Sequence, residues 1–260
     1  MKRLVAGAAA LSLLAACTAG AERVVVGAGT TIVDSGLMDA LAAAYEATHP
    51  GVEISVVGDA TAPVLELGRR GAAAVLITHD PSSEAEFVAA GFAVRYEALV
   101  TSRFVLLGPP DRVLSFADLS AAEAFARIAA EGGPFVGRGD GSGTAVAEAA
   151  IWSAAGIDPT DAGWYAVTGL GMGETLQVAD QRDSFLLAEV GAYRAAADVL
   201  GLVPVALGSD PLLVNPYHAI LIAGAPDAAE GFFDWLLSPD GRAVLVAANE
   251  RLFGEVLYAP

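Results

Sequence analysis

The stretch Gly-Arg-Gly-Asp-Gly-Ser-Gly-Thr at positions 137–144 decides how the rest of this sequence is interpreted. Its glycines lack a Cβ, so that backbone N–H groups can converge on one point, and Arg138, Ser142 and Thr144 add side-chain donors. A helical pattern follows at once, and the positive end of a helix favours negative charge. The loop is therefore predicted to bind a small anion.

Each side chain of this loop also has a purely structural interpretation. Arg138 would then be a surface arginine paired with Asp140 or another carboxylate, and Ser142 and Thr144 would be helix N-caps. The capping and binding roles can coexist for the two hydroxyls. Binding is favoured for Arg138, since a guanidinium presents several fixed donors that fit an oxyanion.

Two strand-turn-helix units precede this loop and have the same plan. The strand pattern at 24–26 leads into a turn with Thr30 and Thr31, and the strand pattern at 52–57 leads into a turn with Thr61. Ligands in open α/β sheets bind at the carboxyl ends of strands, so we expect these hydroxyls to face a cleft. The alternative is that threonines in such turns only satisfy the backbone.

Alternating strand and helix patterns along the chain predict an α/β fold. Residues 22–104 together with 212–260 are predicted to form one lobe, and residues 105–211 a second. Extended strands would cross between the lobes, with polar turns facing inward. This arrangement is typical of a hinged binding protein that closes on its ligand.

Composition excludes several functional classes. The formal net charge is −17, which argues against nucleic acid as a partner. Lys2 is the only lysine, so P-loop, Schiff-base and pyridoxal phosphate chemistry lack their required residue. One cysteine and three histidines make no zinc spacing; no metal ligands and no cofactor are expected, although a carboxylate calcium site stays open.

The N-terminus has the features of a secretory signal. Lys2 and Arg3 precede an apolar run at 4–14, and Leu-Ala-Ala-Cys at 14–17 has the form of a lipobox. We expect residues 1–16 to be a signal peptide and Cys17 to be lipidated, which would anchor a periplasmic protein to the membrane. The alternative is an ordinary cleaved signal in which Cys17 is incidental.

A hydrolase is the enzymatic alternative. The nucleophile motif G-x-S-x-G requires glycine where this chain has Asp140, and a base would have to lie within reach of Ser142. The candidate bases, His49, His79 and His218, lie in no recognisable pattern. Catalysis is therefore not expected.

Several ordered segments together resemble one known family. They are GTTIVDSGLMDAL at 29–41, LELGRRG at 65–71, LITHDP at 76–81, GRGDGSGT, GIDP at 156–159, GLGMGETL at 169–176 and NPY at 215–217. Over nearly the whole mature chain the sequence resembles the tungstate-binding proteins of ABC uptake systems, which belong to the type II periplasmic binding protein superfamily.

The resemblance implies a two-lobed protein, expected to be a monomer, that captures tungstate or molybdate and delivers it to an ABC permease in the inner membrane. Some family positions differ here. The threonine run ends at Ile32, Ala145 replaces a histidine, and residues 188–192 lack a cation that the family pattern has there. The ligand-binding residues implied by the resemblance are Thr30, Thr31, Thr61, Arg138, Ser142, Gly143 and Thr144.

Specificity depends on Asp140. Tungstate at neutral pH needs only donors, whereas hydrogen phosphate also offers a proton to an acceptor. If Asp140 points at the ligand, the site favours hydrogen phosphate. If Asp140 instead holds Arg138 or the N–H groups of the loop, the site favours oxyanions that carry no proton. Another small anion such as phosphate is thus one alternative. An organic solute is another, and it would require carboxylates or aromatic rings such as Trp164, Tyr165 or Tyr193 in the cleft.

Overall fold

The computed structural model describes residues 21–260, so the predicted signal peptide and Cys17 lie outside the described residues. The strands are β1 Glu22–Gly29, β2 Val52–Asp59, β3 Val75–Thr78, β4 Ala93–Gly108, β5 Phe135–Gly137, β6 Tyr165–Val167, β7 Leu186–Glu189, β8 Val203–Pro204 and β9 Val214–Ile222. The α-helices are α1 Thr30–Asp34, α2 Leu37–Thr48, α3 Thr61–Arg69, α4 Pro81–Ala89, α5 Ala121–Glu131, α6 Gly143–Ala154, α7 Met172–Gln181, α8 Val190–Ala196, α9 Asp227–Leu237 and α10 Pro239–Phe253.

A seven-stranded mixed sheet runs through the molecule in the order β2-β1-β3-β9-β4-β7, with β8 also paired to β4. The first half of β4 pairs with β9, and Phe104–Leu107 in its second half pairs with β7. A separate parallel pair, β5-β6, carries the glycine-rich loop. β4 is thus the strand that connects the two halves of the fold.

The parallel pairing of β1 with β2 places their carboxyl ends side by side. Gly29 at the end of β1 lies opposite Asp59 at the end of β2. The chain enters α1 at Thr30 and α3 at Thr61 directly after these positions. The two threonine-bearing turns therefore lie at the same edge of the sheet, as the sequence predicts.

Buried apolar side chains form separate cores on the two sides of this connection. Strands β1, β3 and β9 pack against α2, α9 and α10. The second core contains an aromatic cluster in which Phe125, Phe135 and Trp152 contact one another. The second core draws its residues from 104–213, which supports the predicted division into lobes; the exact bounds stay a prediction.

Most predicted strands and helices are present, with some differences in extent. The sequence pattern does not predict the first half of β4, because its residues alternate irregularly between exposed and half-buried positions. Residues 215–217 lie within β9, and Pro216 is tolerated because β9 pairs only with β4 at this point; its pairing with β3 begins at His218. Thr30 and Thr31 begin a short helix instead of lying in an open turn. Within residues 21–260 no helix is both long and apolar enough to cross a membrane.

Candidate anion-binding site

Arg138 follows β5 and is buried completely, which excludes the surface-arginine interpretation. Its Nη2 donates to Thr30 Oγ1 at 3.0 Å and to Asp140 Oδ2 at 2.5 Å. Its Nε and Nη1 are also buried but have no hydrogen-bond partner. Leaving a buried donor unsatisfied costs about 1 to 3 kcal/mol, so two such donors on one cation are typical of a site that binds an anion.

Asp140 holds the loop and leaves little carboxylate free for a ligand. One oxygen accepts from Arg138, and the other accepts the backbone N–H of Ser142 at 3.2 Å. The paired carboxylate keeps the guanidinium in a fixed position with Nε and Nη1 unpaired. Of the two arrangements considered for Asp140, the structure has the one in which it holds the loop.

Ser142, Gly143 and Thr144 begin α6, and their roles differ. Ser142 is the N-cap, and its Oγ accepts the N–H of Ala145 at 3.3 Å. Thr144 is fully buried, and its Oγ1 has no partner. The capping interpretation therefore holds for Ser142, whereas the Thr144 hydroxyl is left available to a ligand beside the N-terminus of a twelve-residue helix.

The threonines at the ends of β1 and β2 also differ from one another. Thr30 contacts Arg138, so the turn after β1 meets the glycine-rich loop directly. Thr31 is buried and lies 2.7 Å from Tyr217 Oη. Thr61 is buried at the start of α3, and its Oγ1 lacks a partner. The Thr61 hydroxyl therefore does not hydrogen-bond the backbone of its own turn.

Unpartnered buried atoms are concentrated in the predicted set. Within residues 21–260, six buried side-chain nitrogen or oxygen atoms lack a hydrogen bond of good geometry: Thr61 Oγ1, Arg138 Nε, Arg138 Nη1, Thr144 Oγ1, Asn215 Nδ2 and His218 Nδ1. His218 Nδ1 nevertheless lies 2.8 Å from Glu84 Oε2 and so has an ion-pair partner. Four of the six atoms belong to three residues predicted to bind the anion. All four can donate a hydrogen bond, as can the free N–H groups at helix N-termini, so the arrangement suits an acceptor-only ligand.

Glu148 supports the glycine-rich loop from behind. It lies on α6, is almost fully buried, and accepts from Tyr165 Oη at 2.7 Å and Trp152 Nε1 at 3.2 Å. The backbone N–H of Arg138 acts on this carboxylate as well and lowers its pKa. Burial raises its pKa to about 6, against the lowering effect of these donors. Sequence reasoning missed Glu148, because nothing but its place on the helix distinguishes it from an exposed glutamate.

Where the family pattern has a cation, this chain has Val190 at the start of α8. The preceding Glu189 is fully buried and caps α8, accepting the N–H groups of Gly191 at 2.9 Å and Ala192 at 3.0 Å. Its carboxylate also accepts from the hydroxyls of Ser102 and Tyr258. Burial raises its pKa to about 7. Arg138 thus has no second arginine beside it from this segment.

His79 and Asn215 are further buried polar residues next to the predicted set. A Cβ added to Gly143 would lie 2.7 Å from the His79 carbonyl oxygen, so α6 is in contact with the end of β3. His79 Nδ1 lies 2.9 Å from Asn215 Oδ1. The sequence does indicate a polar triplet at 78–80 at the ligand-binding edge of the sheet, but His79 was not among the residues predicted to bind the anion.

Two features of the described residues bear on the hydrolase and organic-solute alternatives. Ser142 Oγ is occupied as an N-cap, and the nitrogens of His79 contact Asn215 and Thr31 instead. A cavity of about 650 Å³ is lined by Glu148, Trp152 and Tyr165, but all its lining residues come from 139–165 and none from the first core. It is therefore not the cleft that an organic solute would enter. Within residues 21–260 no three potential metal ligands cluster together.

Comparison with known proteins agrees with this geometry. The model of the PBP superfamily domain, a periplasmic binding protein family, matches residues 16–240. The chain belongs to this superfamily. Both the α/β class and the two-lobed periplasmic binding protein fold are thereby confirmed.

Individual relatives place the chain more closely. It is 35% identical over 242 residues to a putative ABC transporter anion-binding protein of Haloferax volcanii, covering 89% of this chain and 70% of the relative. It is 30% identical over 248 residues to the tungstate-binding protein TupA of Peptoclostridium acidaminophilum, covering 91% and 85%. The crystal structure of the tungstate ABC transporter from Geobacter sulfurreducens superimposes with a TM-score of 0.78 at 31% identity, covering 86% of this chain and 97% of that one. This binding protein is thus a member of the family that includes these anion- and tungstate-binding proteins.

Proposed function

We propose that this protein is the extracytoplasmic binding component of an ABC importer and that it captures a tetrahedral oxyanion, tungstate or molybdate. The observation that carries the proposal is the fully buried Arg138 with two unpaired donors, together with the buried and unpaired hydroxyls of Thr61 and Thr144. Asp140 pairs with Nη2 of Arg138, but the buried Nε and Nη1 are stabilised only when a further acceptor is supplied. The names of the relatives support the same ligand class.

The proposed contacts come from both lobes. Thr30, Thr31 and Thr61 stand on the lobe formed by residues 22–104 and 212–260. Arg138, Ser142, Gly143 and Thr144 stand on the lobe formed by residues 105–211, and closure of the two lobes would enclose the anion. The hydrogen bond between Arg138 and Thr30 supports this arrangement, since it already joins the two sides.

Proton-free oxyanions are the proposed substrate class, and phosphate is the disfavoured alternative. Both oxygens of Asp140 already accept a hydrogen bond within the loop, which makes its carboxylate a weaker acceptor for a phosphate proton. A site of donors alone binds a fully deprotonated dianion better than a protonated one. The negative net charge is no obstacle, because exposed charges are screened within about 8 to 10 Å at ordinary salt.

Location and anchoring follow from the sequence and the family. We propose a periplasmic protein without catalytic activity, exported by the signal at 1–16 and tethered through lipidated Cys17. Its partners would be the oxyanion and the membrane permease. Mass spectrometry of the protein from membranes would test the anchor, since an unmodified Cys17 contradicts it.

Calorimetric titration of the mature protein with tungstate, molybdate, sulfate and phosphate tests the function. We expect tungstate and molybdate to bind and phosphate to bind more weakly or not at all. If none of the four oxyanions produces binding heat while an organic solute does, the proposal is wrong.

The Arg138→Ala variant tests the key residue. Losing a charge-assisted contact in a desolvated site should weaken tungstate binding by about 2 to 5 kcal/mol. Arg182→Ala is the matched control, since it removes an exposed arginine that also lies within residues 105–211. Circular dichroism should show that both variants are folded. If they then bind tungstate with equal affinity, Arg138 does not contact the anion and its loop has only a structural role.

A further inference from the structure

His79 lies between the two turns that the proposed function assigns to the anion. The residue is only 4% exposed. On one side its Nε2 is 3.4 Å from Thr31 Oγ1, and a Cβ added to Gly29 would lie 3.3 Å from its Cδ2. On the other side a Cβ added to Gly143 would lie 2.8 Å from its Cε1 and Nδ1. His79 thus touches the turn after β1 and the start of α6 at once.

The neighbours of His79 fix which ring nitrogen carries the proton. Asn215 Oδ1 is an acceptor at 2.9 Å, so Nδ1 bears the hydrogen and Nε2 presents its lone pair to Thr31. The ring stacks on Tyr217 with centroids 4.6 Å apart. Burial lowers the pKa of His79 to about 4, although the bond to Asn215 acts in the opposite direction. The imidazole is therefore neutral while the site holds no anion.

The hydroxyl of Thr31 cannot serve two acceptors. It has one hydrogen, and it lies within reach of both Tyr217 Oη at 2.7 Å and His79 Nε2. With Tyr217 as its donor, Thr31 gives its hydrogen to Nε2 when the site is empty. An oxyanion that takes this hydrogen leaves the buried Nε2 without a donor, and it also brings negative charge beside the ring.

Both changes favour the imidazolium, since an opposite charge nearby and a hydrogen-bond acceptor each stabilise a protonated base. We propose that His79 takes up a proton when the cleft binds its anion, so that oxyanion capture is linked to pH. This inference rests on the proposed function. His79 then acts as a positioning residue, donating from Nε2 to Thr31 while Thr31 donates to the anion.

The other groups that face His79 are consistent with this linkage. Thr31, Asn215, Tyr217, Phe104 and Gly143 surround it and carry no charge under ordinary conditions. Among the charged groups that act on it through space, Arg138 lowers its pKa, whereas Glu84 and Asp80 raise it. A bound dianion offsets the effect of Arg138, so the pKa of His79 must rise on binding.

The experiment is titration with tungstate in buffers of different ionisation enthalpy, which counts protons taken up per anion bound. Between the pKa values of the free and bound states, affinity should fall as pH rises, by at most about tenfold per pH unit. Above the bound pKa both states are neutral, and the dependence should vanish. The His79→Gln variant, which cannot titrate, should bind without this proton uptake.

His218→Gln is the matched control, because His218 contacts Glu84 at 2.8 Å and not the proposed site. It should keep the proton uptake of the wild type. No uptake by the wild type, or equal uptake by wild type and His79→Gln, overturns the inference while leaving the proposed function intact. No binding of any oxyanion by the wild type overturns both.

A measurement on the wild type tests the inference even if the His79→Gln variant does not fold. Imidazole nitrogen chemical shifts of the three histidines report protonation directly, and His49→Gln and His218→Gln assign His79 by elimination. The His79 signal should change from a neutral Nδ1–H tautomer to imidazolium when tungstate is added. An unchanged neutral signal at saturation contradicts the proposal.

Discussion

At the scale of single residues, the pairing of Asp140 with Arg138 decides how the cation is presented. Replacing Asp140 by Asn keeps the oxygen that accepts the Ser142 N–H but turns an amide donor toward the guanidinium. Arg138 would then lose its fixed orientation, and hydrogen bonds to charged groups contribute about 1.5 to 3 kcal/mol each. We expect tungstate affinity, measured by calorimetry, to fall by about tenfold or more.

The matched control for this change is Asp158→Asn. Asp158 also accepts the N–H of the residue two positions later, at 3.0 Å from Thr160, but it is exposed and contacts no arginine in the hydrogen bonds described for residues 21–260. Its replacement should leave affinity unchanged. If Asp140→Asn binds as tightly as Asp158→Asn, then Asp140 does not orient the guanidinium.

At the scale of secondary-structure elements, the start of α6 is packed against the end of β3 with no room for a side chain. The Gly143→Ala change suits a helix, since alanine has the higher helix propensity. Its Cβ, however, would lie 2.7 Å from the carbonyl oxygen of His79. We expect each lobe to stay folded but the contact between α6 and the end of β3 to open, so that tungstate affinity is reduced because the cleft cannot close fully. Small-angle scattering with tungstate should show a larger radius of gyration than for the wild type.

Gly173→Ala provides the comparison for this element. Gly173 lies in the first turn of α7, and a Cβ there would meet only Asp34, at an ordinary contact distance of 3.8 Å. Both changes replace a glycine by alanine near a helix N-terminus of the second lobe. If both variants fail to close, the change in helix propensity explains the result. The explanation that a side chain at position 143 collides with His79 would then be wrong.

The same elements mark how far the sequence alone could predict the site. Glycine spacing and strand-turn-helix order correctly placed Arg138 at a strand end and Thr144 and Thr61 at helix starts, because local patterns determine those positions. Burial of Arg138 and the contact of Gly143 with His79 were not predictable. They depend on segments more than 60 residues apart in the chain, and the same local pattern would fit an exposed loop equally well.

At the scale of the whole molecule, Glu189 connects segments from both cores. Its carboxylate accepts from Ser102 on β4 and from Tyr258 near the C-terminus, while it caps α8. The residue after Tyr258 pairs with Thr101, so the last residues lie across the strand that joins the lobes. Burial in this position favours the protonated carboxyl, which is why its pKa is raised to about 7.

This raised pKa makes the stability of the whole protein depend on pH. An acid with a higher pKa when folded contributes most below its unfolded pKa, and the contribution is lost as pH rises through about 7. Glu189→Gln cannot titrate, so its free energy of unfolding relative to the wild type should rise by about 1.4 kcal/mol for each pH unit between the two pKa values. Comparison with the variant is needed because His79, whose pKa is lowered to about 4, changes stability in the opposite direction over part of this range. Urea unfolding at several pH values measures the difference.

The exposed Glu123 is the control, since its pKa is lowered and Glu123→Gln should show the same pH dependence of stability as the wild type above about pH 5. A constant difference between Glu189→Gln and the wild type would mean that the buried carboxyl keeps an ordinary pKa.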